Sequence, residues 1–357
     1  MKNRLLITGI ILSFVVMLAT CGGRHGSVVI TGVVTTLAGI AGDPGSLDAT
    51  GTAATFHTPY GIATDGTSLY VADTGNSAIR KIDITSGLVS TLTGSAGVSG
   101  STDGTGTAAL FHAPCGVTTD GTNLYVADTG NSTIRKVVIS TGVVTTLAGS
   151  GATGSADGIG TSASFNLPFG ITTDGTNLYV ADTGNSTIRK VVISTGEVTT
   201  FAGTAGVPGS ADGTGTAALF HTPYGLVIYG TSLFVTDTGN STIRTINVAS
   251  GVVTTFLGTA GVPGSADGTG AAALFQSPCG ITTDGSILYI TDTANSTIRK
   301  VLISSGAVAT LAGYPGFFGS NDGTGTGARF YHPVGITSFV SVLYVTDTLN
   351  STIRRVQ

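Results

Sequence analysis

Three histidines occupy the same position of an internal repeat and could act as metal ligands. His57, His112 and His221 each lie two residues before a Pro-x-Gly tripeptide. Imidazole is a standard zinc ligand, so three such side chains around one ring would supply the donors of a metal site. They belong to different repeats, however, and the fold would have to bring them together.

The other three repeats carry different residues at that position, which favours a structural role. These residues are Asn166, Gln276 and Tyr331, and His332 follows Tyr331 directly. A polar side chain that caps the preceding connection explains all six positions, whereas metal binding explains three. We therefore predict capping as the shared role and keep zinc as the alternative.

Six aspartates, one in each repeat, form a second set of candidate ligands. They lie in Gly-rich connections such as Ser210-Ala-Asp212-Gly-Thr-Gly215, where hydroxyls could add oxygen ligands for calcium. Their spacing differs from the Asp-x-Asp-x-Asp-Gly calcium loop, and one carboxylate per repeat supplies few ligands. We predict repeated Asx turns, with calcium as the alternative. The positions are Asp48, Asp103, Asp157, Asp212, Asp267 and Asp322.

An aspartate and an arginine seven residues apart recur in every repeat, as in Asp128 and Arg135. A catalytic group is needed once, so identical copies indicate packing, and the planar guanidinium suits a buried bridge to a carboxylate. The other pairs are Asp73/Arg80, Asp182/Arg189, Asp237/Arg244, Asp292/Arg299 and Asp347/Arg354.

Several classes of chemistry are disfavoured by what the sequence contains. It has no Gly-x-Ser-x-Gly, His-Glu-x-x-His, Cys-x-x-Cys or phosphate-loop motif, and glutamate occurs once, at Glu197. The formal net charge is -4, and 10% of residues are charged. A chain without excess positive charge lacks the footprint that binds phosphates, so we exclude nucleic acid as a partner.

The elements that must position these residues follow from the repeat. Pro-x-Gly recurs about every 55 residues, beginning at Pro59, Pro114, Pro168, Pro223, Pro278 and Pro333. One unit reads as four strands, starting at Pro114, Leu124, Thr133 and Val143, and a long Gly-rich connection follows. Asp-Thr-Gly-Asn between two β-rich runs favours a hairpin turn. Apolar residues at both parities of the outer strands predict sheets covered on both faces.

The two ends of the repeat array complement each other. The sixth unit stops after its third strand, and Gly32-Val-Val-Thr-Thr-Leu-Ala-Gly39 matches the fourth strand at Gly142 to Gly149 residue for residue. A strand from one end that completes the other end's sheet seals a ring. We predict that residues 32–39 pair with residues 352–356.

The repeat resembles that of the NHL-repeat family. The residues that carry the resemblance are Phe-x-x-Pro-x-Gly-Ile/Val, Leu-Tyr-Val-Ala-Asp-Thr-Gly-Asn, Ile-Arg-Lys and Gly-Val-Val-Thr-Thr-Leu-Ala-Gly, from about residue 32 to 357. The resemblance implies an all-β, six-bladed β-propeller of four-stranded blades. The departures are a longer period and the replacement of the first-turn aspartate by Tyr229 and Phe339. Peptidyl-hydroxyglycine lyases of this family hold zinc with histidines, which is the basis of the enzyme alternative.

The first residues have the pattern of a secretory signal. Lys2 and Arg4 precede an apolar run from Leu5 to Leu18, and Leu18-Ala-Thr-Cys21 resembles a bacterial lipobox. We predict that residues 1–21 form the signal and that Cys21 is lipidated, with simple cleavage as the alternative. Residues 22–357 then form one propeller domain, exported to the outer membrane, the periplasm or the cell exterior.

The residue after each proline is predicted to line the central channel. This position holds Tyr60, Cys115, Phe169, Tyr224, Cys279 and Val334. Cys115 and Cys279 lie three repeats apart, hence on opposite sides of a six-fold ring. Disulfide formation needs Cα atoms within about 7 Å, so we predict two unpaired thiols.

Taken together, these patterns predict a monomeric, non-catalytic binding or scaffold propeller of the cell envelope. We expect no cofactor. We expect a protein, peptide or glycan to bind the face that bears the long connections, because loops on a rigid scaffold usually carry recognition. The candidate binding face comprises His57, His112, Asn166, His221, Gln276, Tyr331 and His332. The alternative is a metal-dependent lyase or lactonase with its site at the channel mouth.

Overall fold

The chain folds as a closed ring of six β-sheets, the blades of a β-propeller. The computed structural model describes residues 30–357, so the predicted signal and Cys21 lie outside the described residues. Within that range, no helix is both long and apolar enough to cross a membrane. The predicted all-β class and six-bladed architecture are confirmed.

The strands of residues 30–357 are numbered in chain order. The first is β1 (Val33–Ala38). Blade 1 contains β2 (Pro59–Thr64), β3 (Ser68–Asp73), β4 (Ala78–Asp83) and β5 (Val89–Thr93). Blade 2 contains β6 (Gly104–Thr105), β7 (Pro114–Thr119), β8 (Asn123–Asp128), β9 (Thr133–Val138) and β10 (Val143–Ala148). Blade 3 contains β11 (Gly158–Ile159), β12 (Pro168–Thr173), β13 (Asn177–Asp182), β14 (Thr187–Val192) and β15 (Glu197–Ala202).

The remaining three blades repeat this arrangement. Blade 4 contains β16 (Gly213–Thr214), β17 (Pro223–Tyr229), β18 (Ser232–Asp237), β19 (Thr242–Asn247) and β20 (Val252–Leu257). Blade 5 contains β21 (Gly268–Thr269), β22 (Pro278–Thr283), β23 (Ile287–Asp292), β24 (Thr297–Leu302) and β25 (Ala307–Ala312). Blade 6 contains β26 (Gly323–Thr324), β27 (Pro333–Phe339), β28 (Val342–Asp347) and β29 (Thr352–Val356), together with β1.

Two sets of 3₁₀ turns link the strands. One set follows the second strand of each blade, at Thr74–Asn76, Thr129–Asn131, Thr183–Asn185, Thr238–Asn240, Thr293–Asn295 and Thr348–Asn350. The other set lies in the long connections, at Gly51–Ala53, Gly106–Ala108, Gly160–Ser162, Gly215–Ala217, Gly270–Ala272 and Gly325–Gly327.

The long connections are more ordered than the sequence predicts. In five blades the connection contributes a two-residue strand at the outer edge, as β6 pairs with β10, so those sheets have five strands instead of the predicted four. Blade 1 has a single bridge at the corresponding place, between Thr50 and Leu88. Each connection therefore runs along its own blade before it enters the innermost strand.

Neighbouring blades pack face to face through apolar side chains. One buried cluster joins Tyr70 and Ile79 of blade 1 to Phe111, Leu124 and Val126 of blade 2. Because a blade in the ring has a neighbour on each side, its strands need apolar residues at both parities. The absence of hydrophobic alternation in the sequence follows from this burial on two faces.

The predicted closure by the N-terminal strand is confirmed. Strand β1 pairs antiparallel with β29, in a register that places Val34 opposite Val356 and Thr36 opposite Arg354. Its buried Ala38 joins a cluster with Phe56 and Leu69 of blade 1. The outer strand of blade 6 therefore comes from the beginning of the described chain.

The innermost strands approach one another at the glycine of each Pro-x-Gly. A Cβ on Gly61 would overlap the carbonyl oxygen of Cys115 in blade 2, and a Cβ on Gly335 would overlap that of Tyr60 in blade 1. The same relation holds at each of the six blade junctions, so glycine is needed there for close approach of the backbones.

Candidate functional site

Two kinds of segment meet on one face of the ring. Strands alternate in direction, so the long connections and the Asp-Thr-x-Asn turns emerge on the same side, which we call the connection face. The two are joined by backbone hydrogen bonds, since Gly75 N–H donates to the His57 carbonyl at 2.9 Å and Gly130 N–H to that of His112 at 2.8 Å. The opposite side, the turn face, carries the short Asp-Gly-Thr and Ser-Thr-Gly turns.

The predicted binding-face residues are fixed through their backbone. The His57 amide donates to Asp73 Oδ1 at 2.8 Å, and the corresponding amide does so in every blade. The predicted capping by the side chain is therefore wrong, because the buried aspartate receives the main-chain N–H. Side chains at this position are free to vary. Those of His57, His112, His221, Gln276 and His332 are exposed, and those of Asn166 and Tyr331 are half-buried.

The histidine positions belong to separate blades. His57, His112 and His221 lie on blades 1, 2 and 4, each beside the 3₁₀ turn of its own blade. Among residues 30–357, no three His, Cys, Asp or Glu side chains come close enough together to share a metal ion. The geometry thus presents single imidazoles around the connection face.

Each blade contains one arginine that gathers the polar groups of its repeat. In blade 2, Arg135 Nη1 lies 2.7 Å from Asp128 Oδ2, and Nη2 lies 2.7 Å from Asp103 Oδ1. Nη1 and Nη2 also donate to the carbonyls of Leu110 and Thr102. The guanidinium carbon lies 5.2 Å from the Phe111 ring centroid, in cation–π geometry. The predicted packing role of the Asp/Arg pairs follows directly from these contacts.

The aspartates of the connections are not in Asx turns, so that prediction is wrong. Asp103 spans the gap between Arg135 and the outer strand, where the Thr146 amide and hydroxyl donate to its two oxygens at 3.0 Å each. Both oxygens of the carboxylate thus accept hydrogen bonds from the blade. The equivalents of Asp103 contact the arginine in the other five blades. These contacts also tie each connection to the sheet that follows it.

Burial and hydrogen bonding have opposite effects on the pKa of the buried aspartates. Burial raises the pKa of Asp128, and hydrogen bonds from Asn131, the His112 amide and Arg135 oppose that shift. In blades 5 and 6 the same burial raises the pKa of Asp292 and Asp347 to about 6. The side chains of Asp128, Asp292 and Asp347 are fully buried inside their blades.

The channel is narrow and apolar where the residues after each proline line it, as predicted. They enclose a cavity of about 70 Å³ together with the Pro-x-Gly glycines. The Phe169 and Tyr224 ring centroids lie 4.3 Å apart, and those of Tyr60 and Phe169 lie 6.3 Å apart. The three aromatic side chains therefore occupy much of the channel at its connection-face end.

The two cysteines of the channel are free and buried in the structure. Burial raises the pKa of the Cys115 and Cys279 thiols to about 12. A thiol with that pKa stays protonated near neutral pH, and thiolate is the nucleophilic form. These groups act as small apolar side chains in the channel wall.

Beyond the aromatic ring the channel widens toward the turn face. This part has a volume of about 220 Å³ and is lined by glycines, by aliphatic residues and by the threonines Thr118, Thr172, Thr282 and Thr337. Its lining repeats from blade to blade, so it presents a similar hydroxyl-bearing wall on most sides.

Blade 6 carries an aromatic group of which only Tyr331 was predicted from the sequence. The Tyr314 and Phe317 ring centroids lie 5.0 Å apart, and Phe318 stacks on Tyr331 at 4.6 Å. Arg329 lies over Tyr314 at 5.3 Å. Comparing the six connections position by position would have found these residues, because most of the other connections have small or aliphatic residues there.

The turn face has two departures of its own. Tyr229 and Phe339 replace the turn aspartate of blades 4 and 6, and both are exposed. Phe339 lies against Gly66 of blade 1, and Tyr229 lies against Gly285 of blade 5. Each of these aromatic side chains therefore packs on the turn of the next blade.

Comparison with curated proteins finds relatives with this repeat. The chain is 30% identical over 327 residues to NHL repeat-containing protein 2 of Gallus gallus, covering 81% of this chain and 44% of that protein. It is 31% identical over 288 residues to the chloroplastic protein SUPPRESSOR OF QUENCHING 1 of Arabidopsis thaliana, covering 75% and 27%. The chain thus spans less than half the length of these relatives. No family model matches it.

Solved structures share the fold at low sequence identity. A protein of unknown function from Bacteroides thetaiotaomicron superposes with a TM-score of 0.70 and 23% identity, over 91% of this chain and 75% of that one. An auxiliary nutrient binding protein of the same organism has a TM-score of 0.67 and 18% identity, over 91% and 76%. A gluconolactonase of Xanthomonas campestris has a TM-score of 0.58 and 11% identity, over 90% and 88%. The architecture therefore occurs in both binding proteins and enzymes.

Proposed function

The chain is an NHL-repeat β-propeller, and from this premise we propose that it is a non-catalytic binding or scaffold module. Its connection face would recognise a protein, peptide or glycan. The proposal rests on one observation, the location of the charged side chains that recur in every blade. The Asp and Arg side chains that recur in all blades contact each other within the blade. The side chains at the His112 position, by contrast, differ between blades and reach the surface.

The geometry of the connection face supports recognition in a further way. The connections are tied down by Asp–Arg contacts and short edge strands, so their exposed residues are held in place before a ligand arrives. Such preorganisation lowers the entropic cost of binding. Independently of this geometry, an auxiliary nutrient binding protein shares the fold, which supports a binding role.

The test of the face uses steric blocking, which does not depend on knowing the contact residues. Ser101→Cys and Ser320→Cys place a thiol on exposed connections, and Thr141→Cys and Ser305→Cys place one on exposed turns of the other face. Each variant is coupled to a large polyethylene glycol maleimide and probed on glycan and peptide arrays. We expect the first pair to lose binding and the second pair to stay within about twofold. The reverse pattern would put the site on the turn face.

The rival function is a metal-dependent lyase or lactonase at the channel mouth. It requires His57, His112 and His221 to hold zinc jointly, although they lie on separate blades. Elemental analysis of the purified protein and of the triple His→Ala variant decides between the two functions. Stoichiometric zinc that is lost in the variant would replace the binding proposal by the enzyme.

We also propose that residues 1–21 direct export and that lipid on Cys21 anchors residues 22–357, the single propeller domain, to a bacterial outer membrane. The sequence pattern supports this proposal, and bacterial nutrient-binding neighbours are consistent with export. We expect mass spectrometry of the N-terminal peptide to find a diacylglyceryl group on Cys21, which Cys21→Ser should abolish. An unmodified N-terminus would leave a freely exported protein.

A further inference from the structure

Several departures from six-fold repetition lie together on one side of blade 6. We define the blade-6 patch as Tyr314, Phe317, Phe318, Arg329, Tyr331 and Leu349. In blade 4 the corresponding residues are Thr204, Val207, Pro208, Leu219, His221 and Gly239. All six positions belong to the connection of blade 6 or to its Asp-Thr-x-Asn turn, and so to the connection face.

Two of these changes are coupled sterically. In blade 1 a Cβ on Gly75 would come within 2.6 Å of the His57 ring, so glycine makes room for that side chain. Blade 6 has Leu349 at the glycine position and Tyr331 at the histidine position, and the Leu349 amide donates to the Tyr331 carbonyl at 3.1 Å. Leu349 is 43% exposed. The turn and the connection have therefore both acquired apolar surface at the same place.

Two apolar side chains of the patch are largely exposed. Phe317 and Phe318 are 60% and 66% exposed, although each contacts another aromatic ring. Single exposed apolar residues are ordinary, whereas a contiguous aromatic group on a soluble surface marks an interaction site. The exposed rings of Phe317 and Phe318 offer apolar area and no hydrogen-bonding atom, which suits apolar side chains of a partner protein; stacking of a sugar ring on them is the alternative that the glycan array tests.

The patch also contains a positive charge, the guanidinium of Arg329, which is held in one orientation. Arg329 Nη1 donates to the carbonyls of Thr326 and Ala328, and the guanidinium lies over Tyr314. Among the described residues, Nε and Nη2 of Arg329 have no hydrogen-bond acceptor. A guanidinium held in this way can still bind a carboxylate through its free edge. His332 adds an exposed imidazole next to Tyr331, at 5.8 Å between ring centroids.

We propose that the blade-6 patch docks a segment of another protein that presents aromatic or aliphatic side chains beside a carboxylate. This inference rests on the proposed binding function and names its site and partner chemistry. Aromatic residues and arginine are the residue types that dominate binding energy at protein interfaces. The complementary partner has apolar side chains for Phe317 and Phe318 and an acidic group for Arg329.

The experiment measures binding to an array of 12-residue peptides in which a Phe-Leu pair is flanked by zero to four acidic residues. The test variant is Phe317→Ser/Phe318→Ser. The matched control is Val207→Ser/Val262→Ser, at the Phe317 position of blades 4 and 5, where the valines are 45% and 44% exposed. We expect acidic-flanked peptides to bind the native protein and the control, and the test variant to bind them about tenfold or more weakly, as for loss of a hot spot.

The arginine has its own variants, and both folding and oligomeric state are followed. Arg329→Gln should reduce the preference for acidic flanks about two- to fivefold, as expected of an exposed ion pair. Arg329→Lys should restore part of that preference. Circular dichroism melting confirms that each variant is folded, and sedimentation velocity detects self-association.

Each outcome decides the inference. Peptide binding that survives in Phe317→Ser/Phe318→Ser but is blocked by polyethylene glycol on Ser320→Cys overturns the patch and leaves the proposed function standing. Binding confined to a glycan array overturns the protein partner. Self-association that the test variant removes makes the patch a contact between copies of this chain. An absence of peptide and glycan binding overturns both proposals.

Discussion

At the scale of single residues, an arginine takes the central structural position in each blade. Arg135 is fully buried, yet its two terminal nitrogens contact two carboxylates and two carbonyls, and a phenylalanine ring covers its plane. A lysine could not reproduce this fork of donors. Its contacts join the connection, the hairpin turn and the sheet, so one side chain determines how three segments of the repeat lie relative to each other.

We predict that Arg135→Met costs about 3–5 kcal/mol of unfolding free energy, because it leaves the buried Asp128 carboxylate without its cation. The matched control is Lys136→Met, since Lys136 is half-buried and makes no ion pair within the described chain. The measurement is urea denaturation followed by circular dichroism. Asp128→Leu combined with Arg135→Met should recover part of the loss, because no buried charge is then unpaired; Asp103, which also loses Arg135, is half exposed. A cost of less than about 1 kcal/mol for Arg135→Met would contradict this role.

At the scale of elements, the connection behaves as a strap along the blade edge. The short strand β6 and the contacts of Asp103 attach it to β10 and β9 of its own blade. An unpaired outer strand is an edge that other chains can join, and a short covering strand reduces that hazard. The Gly-rich composition suits a segment that has to follow the edge and then turn sharply inward.

The closing strand gives the prediction at this scale. Deleting residues 22–39 should lower the melting temperature and produce dimers or larger species, because β29 loses its partner and becomes an open edge. The matched control moves residues 32–39 to follow Gln357 through an Ile-Ser-Thr joint, which copies the Ile139-Ser140-Thr141 turn of blade 2. This rearranged chain should melt within a few degrees of the native protein. Calorimetry and light scattering report both quantities, and an unchanged deletion variant would refute the closing role.

At the scale of the whole molecule, the features that recur in all six repeats were predicted from the sequence, whereas features that occur in one place were not. Six copies of Pro-x-Gly and of the Asp/Arg pair were enough to predict the ring, its closure and the channel lining at Tyr60 and Phe169. The two-residue strands such as β6 are too short to show a hydrophobic period. The pairing of Asp103 with Arg135 links positions 32 residues apart, which local turn rules cannot detect.

The candidate site shows the same limit. A search for residues that the repeats share drew attention to His57, His112 and His221, whereas a search for positions that differ in one connection would have found Phe317 and Phe318. A phenylalanine in a sequence does not reveal whether it is buried. Only the fold shows that these two lie on the surface beside Tyr331.

The closure of blade 6 has a consequence for how the protein is made. The connection that carries the aromatic residues is fastened to β1, since Thr36 donates from its amide and hydroxyl to Asp322 at 3.2 and 3.0 Å. Of the described strands, β1 is synthesised first and β29 last, so the two pair only after every intervening repeat has been translated. The surface for which we propose recognition is therefore complete only after β29 has been made, and a chain halted on the ribosome before that point has not formed it.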